Sequence, residues 1–308
     1  MSEAIEKKLK SIPIVKQLVA LTKKVTFDSL QGLTLYDIIE LYILGIFKGA
    51  FSNRASAIAF SFFMALFPFT LFILNLIPYI PIENFQDDFL YFVSQNVPPN
   101  TYDAIQEIVY DILNNSYKGL LSSGFILSIF LMTNGINAIL GGFELSEHIT
   151  ITRGFFKQYF IALAISIALS LILIITVIAI IFFEVLIQKI KSRGFISDDV
   201  YLIEWGRYIF LILMILITTA ILYKFGTKET SKITFISYGA VFTTFLFVVS
   251  SYVFGIYVEK FARYNELYGS IGTLLVLMFY IWINCMVLLL GFELNATLSK
   301  LKRKNLYI

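Results

Sequence analysis

Apolar residues in this chain gather into long uninterrupted runs. They show neither the alternation of half-buried strands nor the three-and-four spacing of a water-facing helix. An α-helix needs about 20 mostly apolar residues to cross a hydrocarbon layer roughly 30 Å thick, at about 1.5 Å per residue. Six runs qualify: Ala57–Pro78, Leu120–Leu140, Tyr159–Phe183, Tyr208–Tyr223, Phe235–Val258 and Thr273–Phe292. None of them contains Asp, Glu, Lys, Arg or His. The pattern predicts an all-α integral membrane protein with six transmembrane helices. The fourth run is the shortest, which predicts little tilt or an extension into its flanks.

The stretches between the runs differ in kind. Residues 1–32 carry Lys7, Lys8, Lys10, Lys16, Lys23 and Lys24 among short apolar pieces, with no continuous apolar core like that of a secretory signal. They predict a basic helical arm lying on the cytoplasmic leaflet. Leu33–Ala50 sets Asp37, Glu40 and Lys48 against Ile38, Leu41, Leu44 and Phe47 at helical spacing, predicting an interfacial helix. Ile82–Lys118 is acidic and broken by Pro98–Pro99, predicting a small helical cap outside the membrane. The expected organisation is an arm over 1–32, a membrane domain over 33–299 with its cap at about 82–118, and a basic tail over 300–308.

Basic residues in the connections set orientation. With the N-terminus inside, 17 of the 24 Lys and Arg fall in cytoplasmic segments and 7 in outer ones. That predicts both termini in the cytoplasm of a bacterial inner-membrane protein. The connection between the third and fourth runs, with Lys189, Lys191, Arg193 and Arg207, fits this count least well.

Composition agrees with the pattern: 58% of the 308 residues are hydrophobic and 15% charged, against roughly 25% charged in a soluble domain. A net charge of +3 gives no argument for nucleic acid. The single cysteine, Cys285, rules out an internal disulfide and reads as a packed side chain. His148 is the only histidine; beside Glu144 and Glu147 it reads as part of a solvated charged turn rather than a metal site. With no Gly-rich phosphate loop and no paired transmembrane carboxylates, neither an enzyme nor a cofactor is expected.

Helix packing is better marked. Ala57, Ser61 and Ala65 recur four apart in the first run, and Ala162, Ser166 and Ser170 in the third, spacings that let helices approach closely. Pro68 should kink the first span and free carbonyls for other partners. Asn75, Asn134, Asn137 and Asn284 supply the neutral polar groups of the spans. Before the last run, Tyr268, Gly269, Ser270 and Gly272 open a helix near Lys260 and Arg263, either as an ordinary glycine turn or as a site for a phosphate or lipid headgroup. Tyr280 and Asn284 share a face and can hydrogen-bond to a neighbouring helix. Glu293, near the inner end, is placed to pair with Arg54 or Arg153, and Asn295 follows it.

The run from Asn53-Arg-Ala-Ser-Ala-Ile-Ala through Pro68 resembles the first-span motif of the YihY/BrkB-like family, long labelled ribonuclease BN. The closing run, Leu267-Tyr-Gly-Ser-Ile-Gly through Gly291-Phe-Glu-Leu-Asn, resembles the family too, and Asn137 and Arg153-Gly-Phe-Phe look like its middle loop. The similarity covers about residues 40–300, with Ser61 and Ala65 where the family usually has a Tyr and a Ser. It implies a six-span inner-membrane protein with no catalytic residues to carry over. The expectation is a transporter or lipid-handling protein with membrane lipids as its partners. The alternative is an envelope-assembly factor that docks a protein partner through the acidic cap.

Overall fold

The computed structural model describes residues 22, 26–27, 33–34, 36, 39–40, 42–43, 46, 50–76, 85–96, 110, 118–192, 200–230, 234–261 and 270–305. Among the described residues, seven helices follow a two-residue antiparallel ladder of β1 (Thr26–Phe27) and β2 (Leu33–Thr34), with Thr26 opposite Thr34. They are α1 (Phe51–Leu76), α2 (Phe85–Asn96), α3 (Lys118–Glu144), α4 (Phe155–Ser192), α5 (Val200–Gly226), α6 (Tyr238–Phe261) and α7 (Ser270–Asn305).

Each of the six apolar runs lies on one helix, apart from its extreme ends. Among the described residues, α3 to α7 are long and apolar enough to cross a membrane, over Ile126–Glu144, Phe155–Ile187, Trp205–Gly226, Tyr238–Val258 and Leu274–Leu301. The first run is helical through Leu76, with Pro68 inside α1, and its last two residues lie outside the described set. The sixth helix begins at Tyr238 rather than Phe235, because Ser237 caps it: the Ser237 Oγ accepts from the Ala240 N–H at 3.2 Å. The short fourth run is extended by its flanks into a 27-residue helix, α5. Large apolar side chains stand exposed on these helices, Phe156 at 77% and Tyr238 at 76% among them, as lipid-facing surfaces require.

Two expectations are corrected. The basic arm is not helical throughout: Thr26–Phe27 is extended and pairs with Leu33–Thr34, which likewise shortens the expected 33–50 helix at its start. Thr and Phe favour strands, and the sequence between the pairs, Asp28-Ser-Leu-Gln-Gly32, is rich in turn formers. Tyr36, Ile39, Glu40, Tyr42, Ile43 and Ile46 are helical as expected. Ala57 is exposed, so the packed face of the first turns of α1 runs instead through Arg54, Ala55, Ile58 and Ala59. Within the expected basic tail, α7 continues to Asn305 and buries Leu301. Of the expected cap, α2 is described, with Tyr110 and the start of α3 at Lys118; Pro98–Pro99 lies outside the described residues.

The described residues divide between two compact units. One draws on Phe60–Asn137 and Phe156–Thr218. In it Gly135 of α3 lies against Ala65 of α1, and the Ser128 Oγ donates to the Pro68 carbonyl at 2.5 Å. Ala162, Ser166 and Ser170 are all buried on α4, as their spacing predicts. Near the far ends of α4 and α5, Arg207 Nη2 contacts both Glu184 oxygens at 3.1 Å, and Phe183 fills the space that a side chain at Gly206 would need. The other unit draws on Met1–Ala59, Ala138–Phe155 and Thr219–Ile308. Its main packing pair is α6 against α7, antiparallel along their length.

Candidate functional site

The second unit contains a buried polar cluster built on the carboxyl-terminal half of α7. Glu293 is fully buried there, and a carboxylate without water must find charged or hydrogen-bonding partners. Arg54, in the first turn of α1, supplies Nη2 to Glu293 Oε1 at 2.7 Å. Ser146, in the connection after α3, donates to Oε2 at 2.7 Å. The Tyr42 hydroxyl donates to the Leu290 carbonyl at 3.1 Å; burial, and then the Glu293 charge, hold its proton on well above the usual tyrosine range. Arg54 Nε and Nη1 are buried with no hydrogen-bond partner, so the ion pair is incompletely solvated by protein.

The start of the connection after α3 is packed around His148 rather than fully solvated, which corrects the expectation for that residue. Ser146, His148 and Ile149 are buried, whereas Leu145, Glu147 and the following Thr150, Ile151 and Thr152 stand exposed. The His148 N–H donates to Ser146 Oγ at 3.2 Å, and its Nδ1 lies 3.5 Å from the Lys300 ammonium. The reason is a carboxylate from another loop: Glu229 Oε1 accepts from Thr150 N, Thr150 Oγ1 and Ile151 N, tying the chain down. Arg153 does not reach Glu293. Its Nη1 donates to the Phe225 and Gly226 carbonyls that end α5, and its backbone N–H to Glu144.

A second feature runs along the α6–α7 interface. At the Glu293 end, Asn295 accepts from the Gly239 N–H at 2.9 Å and donates to Ser237 at 2.7 Å. One turn further, the Tyr223 hydroxyl of α5 bonds Thr243 and donates to the Leu288 carbonyl. Here the α6 and α7 backbones meet at Gly239 and Gly291, where a Cβ on either would overlap the other helix. Beyond this seal the Ser250 Oγ donates to Asn284 Oδ1 at 3.3 Å, Asn284 Nδ2 donates to the Tyr280 carbonyl at 2.8 Å, and Tyr280 and Ser251 share a hydroxyl bond of 2.7 Å. On α7 these positions (280, 284, 288, 291 and 295) form one helical face, and the result is a neutral polar stripe, buried at one end and exposed at Ser251.

Of the residues singled out in the sequence, Arg54 and Glu293 therefore meet, while Tyr280, Asn284 and Asn295 line the stripe. Arg153 serves a loop. Asn134 and Asn137 are half-buried on α3; Gly272 is buried near the start of α7, and that helix begins at Ser270. Tyr268 and Gly269 lie outside the described residues. Tyr42, Ser146, Glu229, Tyr223 and Thr243 are not singled out by the sequence. Only the Gly239, Thr243 and Ser250 spacing on α6 holds a usable signal.

Long apolar helices, exposed apolar surfaces and charges held in pairs define a multi-pass α-helical membrane protein. The family described as virulence factor BrkB matches residues 48–306, and the chain belongs to it. It is 31% identical over 253 residues to the ribonuclease-like protein YfkH of Bacillus subtilis (strain 168), covering 82% of this chain and 91% of YfkH. A UPF0761 membrane protein of Aggregatibacter aphrophilus is 22% identical over 83% of this chain and 89% of its own. One from Haemophilus influenzae is 23% identical over 80% and 89%. No solved structure matches.

Proposed function

We propose that the chain is a six-crossing inner-membrane protein, with both termini in the cytoplasm, that handles lipid-like amphiphiles without catalytic turnover. The observation that carries this reading is the α6–α7 stripe: neutral hydrogen-bonding groups come to the surface at the exposed Ser251, beside the half-buried Tyr280, in helices whose apolar cores carry no charge. Small-ion carriers place ionisable groups near mid-membrane. Here the ionisable groups are paired with one another: Arg54, in the first turn of α1, with Glu293, past the middle of α7, and Arg207, near the start of α5, with Glu184. An amphiphile keeps its tails in the bilayer and asks of the protein only a path of hydrogen-bonding partners for its headgroup. Helix α1 supports the sixth crossing: its 26 residues span about 39 Å, and Arg54 is its only charged residue.

The name of the relative YfkH mentions ribonuclease, but we propose no nuclease activity for this chain. No group of three or more His, Cys, Asp or Glu side chains able to hold a metal ion occurs among the described residues.

The test is transbilayer movement of a fluorescent phospholipid in vesicles reconstituted with the purified protein. The reading expects a membrane-impermeant quencher added outside to extinguish label from both leaflets. Quenching that stops at the outer-leaflet share, as in protein-free vesicles, overturns it.

A further inference from the structure

We propose that the open end of the α6–α7 stripe binds the headgroup of a zwitterionic phospholipid, phosphate on the polar side chains and ammonium on the aromatic rings beside them. This rests on the lipid-handling reading above and adds to it a place and a headgroup class.

The polar side has donors to spare. Tyr280 and Ser251 share one hydrogen bond, which uses one of their two hydroxyl protons and leaves the other for an outside acceptor. Asn284 commits one amide proton to the Tyr280 carbonyl, and its second is unused. Two uncommitted donors, beside an exposed serine in an apolar surround, suit the anionic oxygens of a phosphodiester. If these bonds served only to join the helices, they would belong in the buried half of the interface, as the Tyr223–Thr243 bond does.

The aromatic side lies next to them. The Phe254 ring is 4.8 Å from Tyr280 and 6.1 Å from Phe279, all tilted rather than face to face. Phe279 is 43% exposed. Ring faces of this kind attract substituted ammonium groups.

Charge selects between headgroups. Tyr238–Val258 and Ser270–Phe292 contain no charged residue, and the Glu259–Lys260 pair that follows on α6 is neutral overall. An anionic headgroup would therefore bring an uncompensated charge to the helices, whereas a zwitterion brings its own counter-charge to the rings. The Gly239–Gly291 seal closes the stripe on the far side, so the headgroup stops at the open end.

The experiment uses the full-length protein in vesicles containing a phosphatidylcholine with a photoreactive headgroup, followed by mapping of the labelled peptides. Label is expected in the α6 and α7 segments around Ser251 and Tyr280, displaced by unlabelled phosphatidylcholine or phosphatidylethanolamine and poorly by phosphatidylglycerol. Combining Ser251→Ala with Tyr280→Phe should lower it about tenfold, as expected for losing a hydrogen bond to a charged acceptor. Phe279→Leu, at an exposed position with every hydrogen bond left in place, should lower it independently. Label elsewhere, equal displacement by phosphatidylglycerol, or unchanged labelling in both variants would each overturn the site, even if the wild type moves lipid. Label at the expected place in a protein that moves no lipid would keep the site and reject the transport reading.

Discussion

A carboxylate shut away from water must keep a cation beside it or give up its charge, and Glu293 keeps Arg54. Because Arg54 already has two guanidinium nitrogens unpartnered, it depends heavily on that one contact. Glu293→Gln should therefore destabilise the protein by about 3–5 kcal/mol, the cost of an uncompensated buried charge. Ser146→Ala should cost only about 1–2 kcal/mol. Replacing both partners, Arg54→Met with Glu293→Leu, should recover much of the loss, since an apolar pair leaves no orphaned charge. Unfolding temperatures in detergent check the series, and a Glu293→Gln protein that melts like the wild type would refute it. Tyr42 adds a pH dependence. Burial and Glu293 raise its folded-state value above the ordinary one of about 10, at which it ionises in the unfolded chain. Its contribution is intact below about pH 10 and is lost as pH rises toward the folded value. The melting temperature should thus fall more steeply as pH rises from about 10 toward 12 in the wild type than in Tyr42→Phe. Glu293 and Arg54 were legible in the sequence because charges beside apolar runs are conspicuous. Ser146, His148 and Glu229 were not, since a short polar loop reads the same whether water or another loop surrounds it.

At the scale of elements, the requirements of a bilayer made the helices readable: no soluble constraint produces six charge-free runs of this length. The pairing of helices was harder to read, because it depends on which small residues face one another rather than on how many there are. Gly239 and Gly291 bring α6 and α7 together, whereas Gly255, also on α6, is exposed with open space around it. Gly239→Ala or Gly291→Ala should force the helices apart and break the Asn295 and Tyr223 bonds, lowering the melting temperature and broadening the elution profile. Gly255→Ala should leave both unchanged or raise stability by up to about 1 kcal/mol, since alanine restricts the unfolded chain. Equal effects from Gly255→Ala and Gly291→Ala would mean that α6 and α7 do not meet as described. The ladder of β1 and β2 shows the limit of such reading: four residues in strand form are too few for any periodicity to mark.

For the whole molecule, the number of crossings turns on α1. Among the described residues, five helices meet the length and composition that a span needs, and α1 adds 26 residues interrupted by Pro68. With six crossings, residue 52 and residue 94 lie on opposite sides; with five, α1 does not cross and they share a side. Lys and Arg favour six, but a charge count is a sum over many loops, and the pairing of Arg207 with Glu184 shows that not every basic residue votes equally. Single cysteines resolve the matter directly. In a Cys285→Ser background, cysteines replace Ser52, Ser94, Glu147, Lys189 and Lys228, and intact cells meet a membrane-impermeant maleimide. Six crossings with the N-terminus inside expect labelling at positions 94 and 189 only, with 52, 147 and 228 reacting once the membrane is opened. Labelling at 52 together with 94 would remove α1 from the spans. Labelling at 147 and 228 instead of 189 would invert the protein and turn the Arg54–Glu293 cluster to the outer face.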